Sequence, residues 1–398
     1  MKKYNFIIIG SGIIGLTMAH AIKKSKPDTR ILILDKEPGE ARHASGRNSG
    51  VLHSGFYYTA DSLKAKFTVE GNRAMKAYVK AKGLGLNQCG KLVVAQNEGE
   101  LGQLDELLHR GQRNGSNVRL IDERQVFDID PNVKTFRRAL YSPDTATIDP
   151  KEVCAALKED LFKISVEFSY NTKYLGHAVN IVRTTQGDFE GSKIINCAGL
   201  YADRVAQDFG FGAKYTMVPF KGLYLKYTKN KSDVKVNIYP VPNLKNPFLG
   251  VHFTKTVTGD IKIGPTAIPA FWRENYDSKI QNFSHFIEMT EVLYYESKLY
   301  LTDAFNFRSL AHEEMRKYSK KYFISLALSM VKHIDPQGFT EWTKPGIRAQ
   351  LLDKQTLSLV QDFVVEADRQ SVHVLNAVSP AFTCAFPFSQ YVVDRYVL

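Results

Sequence analysis

The chain opens on a run of apolar, mostly β-branched residues, Tyr4 to Ile9, which ends directly in Gly10-Ser11-Gly12-Ile13-Ile14-Gly15. That pattern predicts a strand, a tight turn and a helix, in that order. The helix runs from Ile13 to Lys24 and stops before Pro27, with Lys23, Lys24 and Lys26 at its negative end. A second strand, Arg30 to Leu34, closes on Asp35, twenty residues past Gly15. Two later apolar runs also end in small residues: Ile194-Ile195-Asn196-Cys197 leads into Ala198-Gly199, and Val372 to Leu375 leads into Asn376-Ala377-Val378-Ser379-Pro380-Ala381. Ser379 reads as the N-cap of a helix with Pro380 in its first turn.

Between these elements the period changes. Gly222 to Tyr227, Val234 to Tyr239 and Val251 to Val257 alternate with period two, and the last joins Ile261-Lys262-Ile263 through Thr258-Gly259-Asp260 as a hairpin. Such strands predict a mostly antiparallel sheet, separate from a parallel one. Ile280, Phe283, Phe286, Ile287 and Leu293, then Tyr322, Phe323, Leu326, Met330, Val331 and Ile334, recur at helical spacing and read as core-facing. Lysines 317, 320, 321 and 332 flank the second set as a solvated basic face, and the helix from Asp61 to Lys82 is also basic.

Composition narrows the class. The 398 residues are 44% hydrophobic and 24% charged, with 12% aromatics, which excludes disorder, collagen and coiled coil and allows two domains. Cysteines 89, 154, 197 and 384 form no CxxC pair or zinc spacing, so neither a disulfide framework nor a metal is expected. The longest apolar runs fall short of a membrane span, and a cytoplasmic location is expected. The net charge of +12 admits nucleic acid, an anionic membrane or an acidic substrate. No helix-turn-helix, zinc finger or RNP-like motif supports nucleic acid.

The first motif carries chemistry. Gly10 permits the turn, Gly12 lets backbone approach a pyrophosphate, Gly15 allows close helix–strand packing, and the helix N-terminus faces phosphate charge. Asp35 would accept hydrogen bonds from a ribose, which disfavours NADP and leaves NAD and FAD open. A permanently held dinucleotide needs several further chain segments. Ala44-Ser45-Gly46-Arg47-Asn48-Ser49-Gly50-Val51-Leu52-His53-Ser54-Gly55 is a small-residue tract on which a planar ring can lie, and the two strand ends at Ala198-Gly199 and Ser379-Pro380-Ala381 fit the same cofactor. The cofactor-binding candidates are Gly10, Gly12, Ile14, Gly15, Asp35, Lys36, Ser45, Asn48, Ser49, Gly50, Ala198, Gly199, Ser379, Pro380 and Ala381.

The order of these segments, with Asp144-Thr145-Ala146-Thr147-Ile148-Asp149-Pro150 between them, resembles the D-amino-acid oxidase superfamily of FAD enzymes. Asn48 to Tyr58, Ser62-Leu63-Lys64-Ala65, Cys89-Gly90-Lys91-Leu92-Val93-Val94-Ala95, Pro247 to Thr254 and Gly346-Ile347-Arg348-Ala349-Gln350 are similar to the L-2-hydroxyglutarate oxidase/dehydrogenase family. Arg47, Lys221 and Thr266 depart from the family's usual His, Arg and Asn, as does Leu351-Leu352-Asp353-Lys354 after the Arg-Ala-Gln. The resemblance implies an α/β fold: a Rossmann-like FAD-binding domain built from 1–85, 144–215 and 345–398, and an α+β substrate domain with a mostly antiparallel sheet built from 86–143 and 216–344.

It also implies FAD-dependent oxidation of L-2-hydroxyglutarate to 2-oxoglutarate, with the C2 hydrogen passing as hydride to flavin N5 and electrons leaving to oxygen or a quinone. That chemistry needs a cation for the carboxylate and a base for the hydroxyl proton. Arg348 is the expected anchor, because a guanidinium binds a carboxylate with two bonds. His53 and His252 compete as base. Tyr57, Tyr58, Lys221 and Gln350 are candidates for the rest of the substrate site. An FAD oxidase of another 2-hydroxy acid, an amino acid or a secondary amine is the rival enzyme. A non-catalytic dinucleotide-binding protein is the rival of another class. The remaining surplus of cations is expected on outer faces, with contact to the anionic inner face of the cell membrane as its consequence.

Overall fold

The computed structural model describes residues 2–243, 248–277 and 283–398; Pro247 and Ile280 lie outside the described residues. A parallel sheet runs in the order Ser371–Asn376, Gly187–Asn196, Lys3–Ile9, Ile31–Leu34, Glu167–Ser169. Its strands alternate because both faces are covered. Phe6 and Ile8 join a core with helices Ile13–Ser25, Leu63–Ala81, Pro150–Lys163 and Ala381–Val392, whereas Tyr4, Ile7 and Ile9 pack with Val182, Ile194 and Val205 on the other side. Each aliphatic side chain buried in this way contributes about 1.5–3 kcal/mol.

A second sheet of eight strands follows the order Phe339–Trp342, Leu225–Tyr227, Ile261–Gly264, His252–Lys255, Asn237–Pro240, Lys91–Val94, Arg138–Ser142, Arg119–Asp122. Only the Asn237–Pro240 and Lys91–Val94 pair is parallel. The expected hairpin is present, with His252 opposite Gly264 and Lys255 opposite Ile261. A four-stranded sheet, Ile268–Pro269, Tyr215–Gly222, Gly346–Asp353 and Ser358–Leu359, connects the two larger ones.

Three expectations change. The period-two run from Gly222 to Tyr227 is not one strand: Tyr215–Gly222 ends in the four-stranded sheet and Leu225–Tyr227 begins in the eight-stranded one. Thr266 makes the corner, its hydroxyl donating to the Lys221 carbonyl at 3.0 Å and accepting from the Leu223 amide at 3.1 Å. Phe283, Phe286, Ile287 and Leu293 face solvent on helix Phe283–Thr302, not the core. The inward stripe is Glu288, Val292, Tyr295 and Leu299, and it misled the periodicity because its first member is a carboxylate, paired with Arg204 at 3.0 Å. Lys317 is also interior, bonded to the buried Glu314 at 2.5 Å, so it does not belong to the basic face beside Phe323, Met330 and Val331, which are buried as expected.

The glycine turn sets a packing limit. A Cβ on Gly15 would collide with the Gly10 carbonyl, and one on Gly10 would meet the Cys197 oxygen at 2.5 Å. Gly15→Ala should therefore destabilise the chain by about 1–3 kcal/mol in urea unfolding. Gly102→Ala, in helix Leu101–Arg113 with open space at its Cβ, should stabilise it by about 0.4–1 kcal/mol.

Candidate functional site

The parallel strands end together at Ile9, Leu34 and Asn196, and their carboxyl ends open on a cavity of 830 Å³. This is where doubly wound sheets bind ligands. Gly10, Gly12, Ile14, Asp35, Lys36, Ser45, Asn48, Ser49, Ala198, Gly199, Ser379, Pro380 and Ala381 line it. Gly15 lies beneath, as the packing contact with Gly10, and Gly50 is set back with φ +76°, its carbonyl accepting from the Ile148 amide at 2.9 Å.

Local bonds explain how these segments hold still. Asp35 Oδ2 accepts from the Ser11 amide at 2.7 Å and its hydroxyl at 2.6 Å, while Oδ1 accepts from the Glu37 amide at 3.0 Å. The carboxylate thus braces the glycine turn and keeps part of its acceptor capacity for a ligand. Ser45 Oγ accepts from the Ile13 amide at 2.9 Å, tying the small-residue tract to the first helix. Asn48 spends its side chain on the same tract, donating to the Ala44 and Ser45 carbonyls and accepting from the Gly50 amide.

Lys36 bonds Glu37, Glu274 at 2.7 Å and His43 at 3.0 Å. Burial opposes its charge, but the two carboxylates outweigh that and raise its pKa. The Glu37, His43 and Glu274 group, the one metal-like cluster among the described residues, therefore already holds a cation.

Helix Ala381–Val392 begins one residue later than its sequence implied: Pro380, not Ser379, is the N-cap, and no side chain caps it. Helix Ile13–Ser25 likewise starts at Gly12 without a side-chain cap at that residue. Two helix N-termini thus face one cavity, and at Gly10 on its wall a Cβ would meet the Cys197 carbonyl oxygen at 2.5 Å, so only glycine lets the two backbones meet there. The cradle fits a flavin dinucleotide.

The reactive candidates divide. Arg348 and His53 line the cavity. Burial lowers the Arg348 pKa, and the guanidinium lies 4.7 Å from the Phe248 ring centroid with no carboxylate paired to it among the described residues. His53 is buried, its Nδ1 lacks a partner among the described residues, and burial together with Lys91, His252 and Lys64 holds it well below the usual imidazole range. His252 lies off the main cavity, stacked on Tyr239 at 3.7 Å, with Nδ1 2.8 Å from the Gly250 carbonyl. That bond makes Nδ1 the donor and leaves Nε2 as acceptor. Burial pushes its pKa down to about 3.

Tyr57 and Tyr58 are buried beside this group, and the Tyr57 hydroxyl has no partner among the described residues. Lys221 and Gln350 do not line the cavity. Lys221 follows Phe220, which does, so strand alternation turns it to the opposite face, where Asp277 acts on it. Gln350 donates to the Val360 carbonyl at 2.8 Å.

Sequence reasoning missed two interior cations. Lys64 is buried near Tyr58 and Arg348, and burial lowers its pKa to about 8. Lys91 is fully buried, and burial lowers its pKa to about 7. Both sit in motifs that the resemblance singled out, which was the available signal.

A profile described as DAO, FAD dependent oxidoreductase, matches residues 5–395. The chain belongs to the FAD-dependent oxidoreductase family. FAD is its cofactor. Among its relatives are proteins named L-2-hydroxyglutarate dehydrogenase from Escherichia coli, 33% identical over 98% of this chain and 93% of that protein, and from Indibacter alkaliphilus, 35% identical over 96% and 95%. The fold is similar to that of dithionite-reduced L-alpha-glycerophosphate oxidase from Mycoplasma pneumoniae with FAD bound, with a TM-score of 0.76 and 21% identity over 99% of this chain and 94% of that one.

The depressed histidine carries a stability consequence. An unfolded His252 titrates near 6.5 and the folded one near 3, so its contribution is complete above about pH 6.5 and is lost as pH falls through that window. Urea midpoints measured at pH 7.5 and 5 should fall for the native chain, and the fall should be smaller in His252→Gln.

Proposed function

We propose that this flavoprotein oxidises L-2-hydroxyglutarate to 2-oxoglutarate. The observation that carries the reading is the Arg348 guanidinium, half-buried on the cavity wall, paired with no carboxylate among the described residues, and facing the same cavity as a neutral His53. The names of the relatives support the substrate. Bound FAD supplies a two-electron acceptor for the hydrogen on C2. Gly10, Gly12, Ser45, Ala198, Gly199 and the turn at Ser379–Ala381 would hold it, with Asp35 at the ribose.

Arg348 binds and orients the C1 carboxylate, which fixes C2 in the cavity. His53 takes the C2 hydroxyl proton as the carbonyl forms, and its lowered pKa keeps the imidazole in the accepting form across the neutral range. His252, bonded to Gly250 and stacked on Tyr239, presents Nε2 as a second acceptor and positions its neighbours. The segments 1–85, 144–215 and 345–398 serve the cofactor in this reading, and 86–143 with 216–344 the substrate.

Oxygen or a quinone takes the electrons, and the enzyme works in the cytoplasm against an anionic membrane. Helix Phe283–Thr302 supports that contact: Phe283, Phe286, Ile287, Tyr294 and Leu301 are exposed, and Arg308 bonds the Tyr300 carbonyl beside them. No helix among the described residues is long and apolar enough to cross a membrane.

The test is anaerobic mixing of the holoenzyme with L-2-hydroxyglutarate. Bleaching of the flavin with one 2-oxoglutarate formed per flavin is expected, and an unbleached, intact flavin would overturn the substrate. Arg348→Lys should lower kcat/KM by about 10²–10³-fold, equivalent to roughly 3–4 kcal/mol, because a lysine cannot reproduce the two-bond guanidinium contact. Sedimentation with vesicles of anionic lipid should retain the native chain and lose Phe283→Ser/Phe286→Ser.

A further inference from the structure

Residues 271–277 follow strand Ile268–Pro269 and belong to the stretch assigned above to the substrate, yet their side chains bond to the cofactor half. The segment has a buried root. Arg273 donates to both carboxylate oxygens of Asp203, in helix Ala202–Asp208, at 2.6 and 2.9 Å, and its amide donates to Glu288 at 3.2 Å. The two side chains of that pair are 2% and 1% exposed, so breaking it would strand a charge in the interior. Asn275, also buried, folds the segment into a compact turn: Oδ1 accepts from the Phe271 amide at 3.3 Å and Nδ2 donates to the Asp277 carbonyl at 2.6 Å.

The tip is held differently. Glu274 Oε1 accepts from Lys36 Nζ at 2.7 Å and from the Tyr201 hydroxyl at 2.7 Å. The Tyr276 hydroxyl lies 2.8 Å from His43 Nδ1, and its ring centroid lies 4.1 Å from Arg47 Cζ. Lys36 and Glu274 are each 26% exposed, so water can replace their contact, which it cannot do at Arg273. Burial opposes both charges, but the neighbouring charges outweigh it, raising the Lys36 pKa and lowering that of Glu274. Lys36, His43, Tyr201, Glu274 and Glu288 all line the 830 Å³ cavity, and Lys36 directly follows Asp35.

We propose that residues 271–277 are a strap over the Asp35 end of the cavity, with Glu274 as its clasp on Lys36, and that FAD leaves only when the clasp opens. The inference rests on the cofactor reading above, which puts the ribose at Asp35, and deepens it. A stretch that otherwise serves the substrate thereby governs how long the cofactor stays. Arg273 keeps its bonds to Asp203 while the tip moves, so opening leaves the fold intact.

Release of FAD from diluted holoenzyme, read from the rise in flavin fluorescence beside far-UV circular dichroism at the same temperature, tests this without substrate. Glu274→Ala should release FAD about tenfold faster than the native chain, because a charge-assisted contact is lost, and the circular dichroism should hold constant meanwhile. In a Lys36→Met background the clasp is already open, and Glu274→Ala should add less than about twofold. Release at the native rate from Glu274→Ala overturns the proposal, as does an equal acceleration in both backgrounds. Loss of the helix signal at the rate of release also overturns it, since the flavin then escapes by unfolding.

Asp35→Asn separates the strap from the cofactor placement. Native release from Asp35→Asn, with faster release from Glu274→Ala, sinks the ribose placement and leaves the strap. Faster release from Asp35→Asn, with native release from Glu274→Ala, sinks the strap alone.

Discussion

Three backbone segments meet within van der Waals distance at one point: the turn at Gly10, the first helix at Gly15 and the end of the strand Gly187–Asn196 at Cys197. No side chain fits between them. That approach fixes the helix against the parallel sheet, and it brings the Gly12 amide end, the Asp35 carboxylate and Ala198 to one rim. The cofactor cradle is a consequence of this contact. So is the direction in which the later segments must return, because Ser371–Asn376 pairs with Gly187–Asn196 and delivers Ser379 and Ala381 to the same rim.

The substrate side answers a different constraint, the cost of interior charge. Lys64, Lys91 and Arg348 all have depressed pKa values, with burial as the leading cause. Elsewhere the chain pays this cost with local partners: Arg273 bonds Asp203 at 2.6 and 2.9 Å, and Lys317 bonds Glu314. The contrast separates the cations that the fold pairs locally from Arg348, the one proposed to meet a ligand's carboxylate. It also changes the meaning of the +12 charge. Part of the excess is inside, where it raises the potential of the cavity for anions, and only the remainder faces solvent.

Glycine spacing, the terminal acid and the small-residue tract were legible because each meets a local backbone requirement that only a few residue types satisfy. The hairpin at 252–264 was legible for the same reason. The stripe on helix Phe283–Thr302 was not, since Glu288 occupies an inward position that only its tertiary partners Arg204 and the Arg273 amide make tolerable. Nor was the corner at Leu223, where an unbroken alternation changes sheet because Thr266, distant in sequence, captures its amide.

By itself the sequence determined the dinucleotide turn, the order of strands and helices that surround it, and the set of motifs from which the site is drawn. Those are local matters of sterics, period and hydrogen-bonding capacity. Tertiary structure decided which of the drawn residues act together: it turned Lys221 to the far face, occupied Gln350 with Val360, and enclosed Lys91 among the rings of Tyr239, Tyr57 and Phe56. Charge, exposure and partnership are properties of neighbours, and neighbours far apart in the chain meet only once the sheets have closed.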